Sequence, residues 1–135
     1  MLRILMFSTL LMALSGCLPT ADVEISFNTD KLNIEQQYMA LCTNLKALGF
    51  VSDNYEQEDE SANKCWMVGS YYIDMKRVSN GLIGQYVEVM FREDEQQSKL
   101  TYSEVGDFKM TDMGVAQFEK LKVILTEVVG NYRIK

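Results

Sequence analysis

Two stretches of the chain carry apolar residues at helical spacing. In the first, Asn33 and Gln36 fit a capping box, and Gly49 fits a C-cap. Its apolar positions recur at steps of four and three residues: Ile34, Tyr38, Leu41, Leu45 and Leu48. In the second stretch, Thr111 is a suitable N-cap, and one apolar face continues to Tyr132. The pattern predicts two amphipathic helices.

Between these helices the pattern changes to strand-like runs. Residues 65–78, 82–92 and 99–108 are rich in aromatic and β-branched side chains or show partial alternation. An Asn80-Gly81 step between the first two runs favours a hairpin turn. The order α-β-β-β-α with short connections predicts a small two-layer α+β domain, in which an antiparallel three-stranded meander packs against two helices.

The N-terminal segment has a different pattern. Residues 4–14 form an apolar run preceded by one charge, Arg3, and the run is too short for a permanent membrane span. It ends in Leu14-Ser15-Gly16-Cys17, which resembles the lipobox of bacterial lipoproteins. A plain secretory signal that happens to end in a cysteine is the alternative.

The resemblance to bacterial lipoproteins implies cleavage before Cys17, so that residues 1–16 are a signal peptide. It also implies a diacylglyceryl group on Cys17 and an acylated amine, and two or three acyl chains suffice for stable membrane anchoring. Leu18 stands where many lipoproteins of the inner membrane have Asp. By analogy, we expect this bacterial envelope protein to be a lipid-anchored outer-membrane protein that faces the periplasm.

The remaining chain divides into a tether and a single domain. Residues 17–30 contain the only proline, Pro19, and are predicted to be the lipidated cysteine and its tether. Residues 31–135 are predicted to form one globular α+β domain. The part of this tether between the lipidated cysteine and the domain, about 12 residues long, holds the domain within about 40 Å of the membrane. Residues 23–27 are left open as tether or as an added edge strand.

Two cysteines remain once Cys17 carries lipid. In an oxidising envelope compartment, Cys42 and Cys65 are expected to form a disulfide. They enclose about 22 residues, a loop for which the chain-entropy model gives about 3.4 kcal/mol of stabilisation. A redox-active thiol is the less favoured alternative, because no CxxC spacing exists.

The expected disulfide also orients the sheet. It requires the first helix to cover the odd-numbered face of the first strand, because Cys65 lies on that face. The opposite face then carries the candidate partner-binding residues Trp66, Tyr72, Tyr86 and Met90. Alternatively, the second helix or a strand from residues 23–27 covers this face and makes its aromatic residues part of the core.

Composition removes several classes of chemistry. With no histidine, the chain lacks the commonest general base and every histidine-containing metal site, and we expect no metal and no cofactor. Its net charge of −6 argues against nucleic acid as a partner. A pair of carboxylates could still cleave glycosidic bonds, but among 19 acidic residues such a pair carries no specificity.

These observations favour a protein that is not an enzyme. The leading hypothesis is a protein-interaction or envelope-assembly module that binds a partner with a basic patch. One alternative is a periplasmic immunity or inhibitor lipoprotein that neutralises a basic toxin or an envelope enzyme. The least favoured alternative is a cell-wall glycosidase. The partner and the oligomeric state are not specified by the sequence.

Overall fold

Two helices pack on one face of an antiparallel sheet. The computed structural model describes residues 20–52, 71–79, 81–92, 95–106 and 108–135. Along the chain the elements are β1 (Thr20–Asn28), α1 (Ile34–Ala47), β2 (Val51–Ser52), β3 (Tyr72–Ser79), β4 (Leu82–Met90), β5 (Gln97–Val105), α2 (Asp112–Val128) and β6 (Tyr132–Ile134). The predicted α+β class is therefore confirmed.

The sheet contains the predicted meander and three further strands. Its order is β2-β3-β4-β5-β1-β6, and every neighbouring pair is antiparallel. The hairpin between β3 and β4 turns at Gly81, whose φ of 77° is the left-handed conformation that glycine tolerates. A register shift between Arg77 and Val78 marks a bulge in this hairpin.

β1 corrects the predicted domain boundary. Residues 20–28 lie within the predicted tether, but they form a strand that pairs with β5 on one side and β6 on the other. Burial of alternate side chains stabilises the strand. The side chains of Ile25 and Phe27 are buried in the core, whereas Ser26 between them lies on the opposite face and is half-buried. The extra strand that the sequence left open over residues 23–27 therefore exists, but it lies inside the sheet and not at its edge.

Both helices cover the same face of the sheet. On α1, the Tyr38 ring meets Phe91 at 6.1 Å between ring centroids, and on α2, the Phe118 ring meets Tyr102 of β5 at 5.3 Å. The core lies between the helices and the sheet. It contains the buried alternate residues of the central strands: Ile25, Phe27, Ile73, Met75, Val87, Val89, Leu100 and Tyr102. The predicted alternation of β3 and β4 is thus confirmed for the described residues.

The two helix starts differ from each other. At α2, the Thr111 hydroxyl accepts a hydrogen bond from the Gly114 N–H at 3.1 Å, as an N-cap does. At α1, the predicted capping box is wrong, because the Asn33 side chain makes no cap hydrogen bond and instead donates to Asp30. The Asp30 carboxylate competes for Asn33 before the helix begins.

The C-terminal helix is shorter than its apolar pattern predicts. α2 ends at Val128, and Gly130 follows with a φ of 76°. This left-handed residue reverses the direction of the chain. Tyr132 of β6 therefore pairs with Phe27 of β1 and does not extend the helix. Tyr132 packs against the core as part of the sheet. Its apolar side chain therefore serves a core contact, although its spacing also fits the helical pattern.

Candidate partner-binding face

The face of the sheet opposite both helices, called the open face, is exposed along its central strands. All of its described central members except Lys76 are exposed or half-buried, and neither helix contributes a residue to it. These members are Asp22, Glu24 and Ser26 on β1, Tyr72, Asp74 and Lys76 on β3, Tyr86, Glu88 and Met90 on β4, and Lys99, Thr101 and Ser103 on β5.

Tyr72 and Met90 form the main apolar pair of the open face. They lie directly opposite each other across β3 and β4, and their side chains are 37% and 43% exposed. Tyr86 also lies on this face and is half-buried, but it pairs with Lys76. The structure therefore brings together two of the predicted binding residues and sets Tyr86 apart.

An acidic pair separates Tyr86 from the Tyr72–Met90 pair. Asp74 and Glu88 are cross-strand partners at the position between them, and both are exposed. The predicted aromatic surface is thus divided by two carboxylates. Both carboxylates are exposed on the sheet surface and are not enclosed in a cleft.

The acidic pair also contributes to the pKa of Tyr72. Partial burial raises the pKa of Tyr72 to about 12, helped by a hydrogen bond to Glu88 and by the negative charges of Asp74 and Glu88. The Tyr72 hydroxyl is protonated at neutral pH, as an ordinary tyrosine is, and it donates a hydrogen bond to the Glu88 carboxylate. A neutral phenol bound to a carboxylate suits a surface that contacts a partner by packing and hydrogen bonding.

The far side of the open face has a different charge pattern. The Glu24 carboxylate lies 2.6 Å from Lys99 Nζ and 2.8 Å from Lys135 Nζ. The hydrogen bonds from Lys135 and Lys99 lower the pKa of Glu24 below its usual range. One carboxylate thus partners two ammonium groups, and with Arg133 beside them this side is locally basic.

A polar depression lies where β1, β5 and β6 meet. Its volume is about 280 Å³. The residues that line it are Ser26, Phe27, Asn28, Gln97, Asn131, Tyr132 and Arg133. Its amides and single guanidinium can exchange hydrogen bonds with a peptide group, but they contain no nucleophile with a base beside it.

A buried polar network, which was not predicted, lies on the helix-covered side of the sheet. The Glu104 carboxylate accepts a hydrogen bond from the Thr111 N–H at 2.7 Å and another from the Gln85 side chain at 3.4 Å. Arg77 donates to Gln85 and to the Leu48 carbonyl at the end of α1. The network ties both helices to the sheet, which is a structural role.

The signal for this network was present in the strand alternation. Gln85 and Glu104 fall at positions whose strand neighbours Val87 and Tyr102 point into the core. A polar residue in phase with core residues needs an internal partner. Gln85 is bonded by Arg77, and Glu104 is bonded by the backbone N–H of Thr111 at the start of α2. The positions of both partners depend on the tertiary fold.

Several predicted site residues fall outside the described part of the chain. Cys17, Cys65 and Trp66 are among them, so the lipid anchor, the disulfide partner and one aromatic residue stay predictions. Cys42 lies on the buried face of α1 and is disulfide-bonded. Its possible partners, Cys17 and Cys65, are both outside the described ranges, and the pairing with Cys65 therefore also stays a prediction.

Within the described ranges, no cluster of acidic and cysteine side chains has the arrangement to hold a metal ion. No helix in the same part of the chain has both the length and the apolar character to cross a membrane. Comparison with known proteins adds no family: no family model, no curated protein and no solved structure matches the chain.

Proposed function

We propose that this protein is a lipid-anchored interaction module of the bacterial envelope, which binds a protein partner through the open face and performs no catalysis. The observation that carries the binding proposal is the exposed Tyr72–Met90 pair on a sheet face that neither helix covers. Aromatic and Met side chains are enriched in the cores of protein interfaces. The lipid on Cys17 anchors the protein to the outer membrane, and the domain lies on the periplasmic side of that membrane.

The charges around the apolar pair define the partner's chemistry. Asp74 and Glu88 are exposed on one flank of Tyr72 and Met90. A partner that places an apolar group on the pair and an Arg or Lys on these carboxylates would fit both features. The net charge of −6 acts in the same direction, since it attracts a basic protein over longer range.

Site-specific photo-crosslinking in the native envelope tests the binding face. A photoreactive phenylalanine analogue placed at Tyr72 is expected to give a discrete protein adduct. The same analogue at Val123, an exposed position on α2, is the matched control and is expected to give none. Equal adducts from both positions, or none from Tyr72, would overturn the proposed face.

Substitutions then measure how much the pair contributes. Met90→Ala and Tyr72→Ala should each weaken binding of the crosslinked partner by about 1–2 kcal/mol, in the range of interface positions that matter. Met39→Ala, which truncates an exposed Met on α1, should leave affinity unchanged. Glu88→Lys should also slow association with a basic partner.

A separate experiment tests the anchor. The Cys17→Ser variant is expected to leave the membrane fraction and to remain unprocessed by the lipoprotein signal peptidase. Retention of the variant in the membrane with normal processing would contradict the anchor while leaving the binding face intact. Metabolic labelling of the wild-type protein with a palmitate analogue gives the direct readout.

An immunity function is a more specific form of the proposal. The exposed Asp74–Glu88 pair favours it, because two adjacent carboxylates suit the basic surface of a toxin. If the crosslinked partner is a secreted toxin, expression of the wild-type protein should protect cells from it. In that case the Glu88→Lys variant should protect them less.

A further inference from the structure

One end of the sheet, called the Thr20 end, lies closest along the chain to the proposed lipid. Thr20, the first residue of β1, pairs with Val105, the last residue of β5. Ser79, the last residue of β3, lies at the same end. The end of β3 pairs with the start of β4, and the start of β4 lies beside the end of β5. The opposite end contains Tyr72 and Met90.

The Thr20 end presents exposed apolar side chains. Phe108, in the loop that follows Val105, is 84% exposed. Val78 at the close of β3 and Met113 at the start of α2 are each about half exposed. The Ser79 hydroxyl lies 3.4 Å from the Met113 sulfur, so the β3 hairpin and the α2 start are neighbours. We call Val78, Phe108 and Met113 the apolar rim.

The short distance along the chain from Cys17 to Thr20 limits how far the apolar rim can lie from the membrane. Cys17 is three residues before Thr20, and three extended residues span about 10 Å. β1 itself is about 27 Å long from Thr20 to Asn28. Because the strand begins so soon after the anchoring position, a lipidated Cys17 would hold the Thr20 end within about 10 Å of the bilayer surface.

We infer that the domain stands on the membrane by this end, with the apolar rim in contact with the phospholipid bilayer. The inference rests on the proposed anchor at Cys17 and adds an orientation to it. Phe108 and its neighbours would insert at the boundary between headgroups and acyl chains, as apolar side chains do in proteins that lie on a membrane. The Tyr72–Met90 pair then points away from the bilayer, where a partner can reach it.

Apolar contact, and not charge, holds the rim on the bilayer. Lys109 is exposed beside Phe108, but Asp22 and Asp112 are exposed at the same end. These opposing charges give no net attraction to anionic lipid. The contact is therefore expected on zwitterionic phospholipid and should persist at high salt.

Paramagnetic relaxation in nanodiscs tests the orientation. The mature lipoprotein, purified from its own membranes with its lipid confirmed by mass spectrometry, is placed in phosphatidylcholine discs that carry a nitroxide on the headgroup. Amides of residues 108–113 and 78–79 are expected to relax severalfold faster than those of residues 31–34 at the opposite end. Uniform enhancement along β1, or stronger enhancement at residues 31–34, would overturn the inference.

Two matched substitutions test the rim itself. Phe108→Ser should reduce the enhancement at residues 109–113 severalfold, whereas Leu32→Ser, at a residue 94% exposed at the opposite end, should change nothing. Equal effects of the two substitutions, or no effect of Phe108→Ser, would overturn the contact.

Failure of this inference and failure of the proposed function are distinguishable. A protein without lipid on Cys17 overturns both the anchor and the orientation. A lipidated protein with no end preference overturns the orientation alone, and crosslinking at Tyr72 is then unaffected.

Discussion

The carboxylate of Glu104 lies against Gly114, in the space that a Cβ on residue 114 would fill. Glu104 is buried, and its other contacts are the Thr111 N–H and the Gln85 amide. A carboxylate at the start of a helix also interacts favourably with the helix dipole. The glycine in the first turn of α2 therefore makes room for the group that fixes this turn to β5.

The first prediction follows from this contact. Gly114→Ala should lower the free energy of unfolding by about 1–2 kcal/mol, because displacement of a charged hydrogen-bond acceptor costs more than the helix propensity that Ala adds. The measurement is the denaturation midpoint in urea, with the slope checked for two-state behaviour.

A double-mutant cycle supplies the control for Gly114. In a Glu104→Ala background the space is empty, and Gly114→Ala should become stabilising by up to about 1 kcal/mol. In a Glu104→Gln background, which keeps the side-chain volume, it should stay destabilising. The same sign in all three backgrounds would show that Glu104 does not set the need for glycine.

The second prediction concerns the cap of α2. Thr111→Ala should destabilise the protein by about 1 kcal/mol, because it removes the acceptor of the Gly114 N–H. Thr126→Ala is the matched control, since its hydroxyl donates to the Lys122 carbonyl within the helix and satisfies no free N–H group. Equal losses for the two variants would argue against the cap.

The third prediction is the titration of Tyr72. Its folded-state pKa of about 12 lies above the ordinary value of 10.0, so the stability it contributes is complete below pH 10 and is lost as the pH rises towards 12. Tyrosine ring-carbon NMR, with the signal assigned by its absence in Tyr72→Phe, should show this late midpoint. Glu88→Gln should lower the midpoint only in part, because burial is the largest cause.

The fourth prediction concerns Glu24. Lys135 and Lys99 hold the folded-state pKa of this carboxyl below 4.5, so its stabilising contribution is present above that pH and is lost as the pH falls through the folded-state value. The Glu24→Gln variant should therefore lose less stability than the wild-type protein upon acidification. An Asp22→Gln variant, at a position on the same strand, serves as the control for net charge.

The fifth prediction concerns the disulfide. Peptide mapping of the oxidised protein should recover a peptide that joins Cys42 to Cys65. Its reduction should cost about 3 kcal/mol, because the unfolded chain regains the entropy of the opened loop. Recovery of free Cys65 would contradict the pairing and reopen the question of which residue bonds to Cys42.

Local patterns predicted the central elements well. The β3–β4 hairpin follows from Asn80-Gly81 and from alternation that the structure retains, with Ile73 and Val87 buried. α1 follows from its spacing of apolar residues. These features depend on neighbours in the sequence, and so a single sequence contains them.

The elements that the sequence missed depend on distant partners. β1 becomes a strand because β5 pairs along its whole length. β6 has three residues, and its existence requires both the reversal at Gly130 and the free edge of β1. On the open face, alternation placed Tyr72 and Met90 correctly, but only the register shows that Asp74 and Glu88 separate them from Tyr86.

The position of β1 has a consequence for how the chain reaches its native state. Glu24 of β1 bonds to Lys135, which is 111 residues later in the sequence, and Thr29, just after β1, bonds to Ser98, which is 69 residues later. Contacts of such separation form late, because the chain must close long loops before they are made. The N-terminal strand can therefore complete the sheet only after the last residues are available. A chain that crosses a membrane from its N-terminus would therefore complete this sheet only after residues 132–134 have crossed.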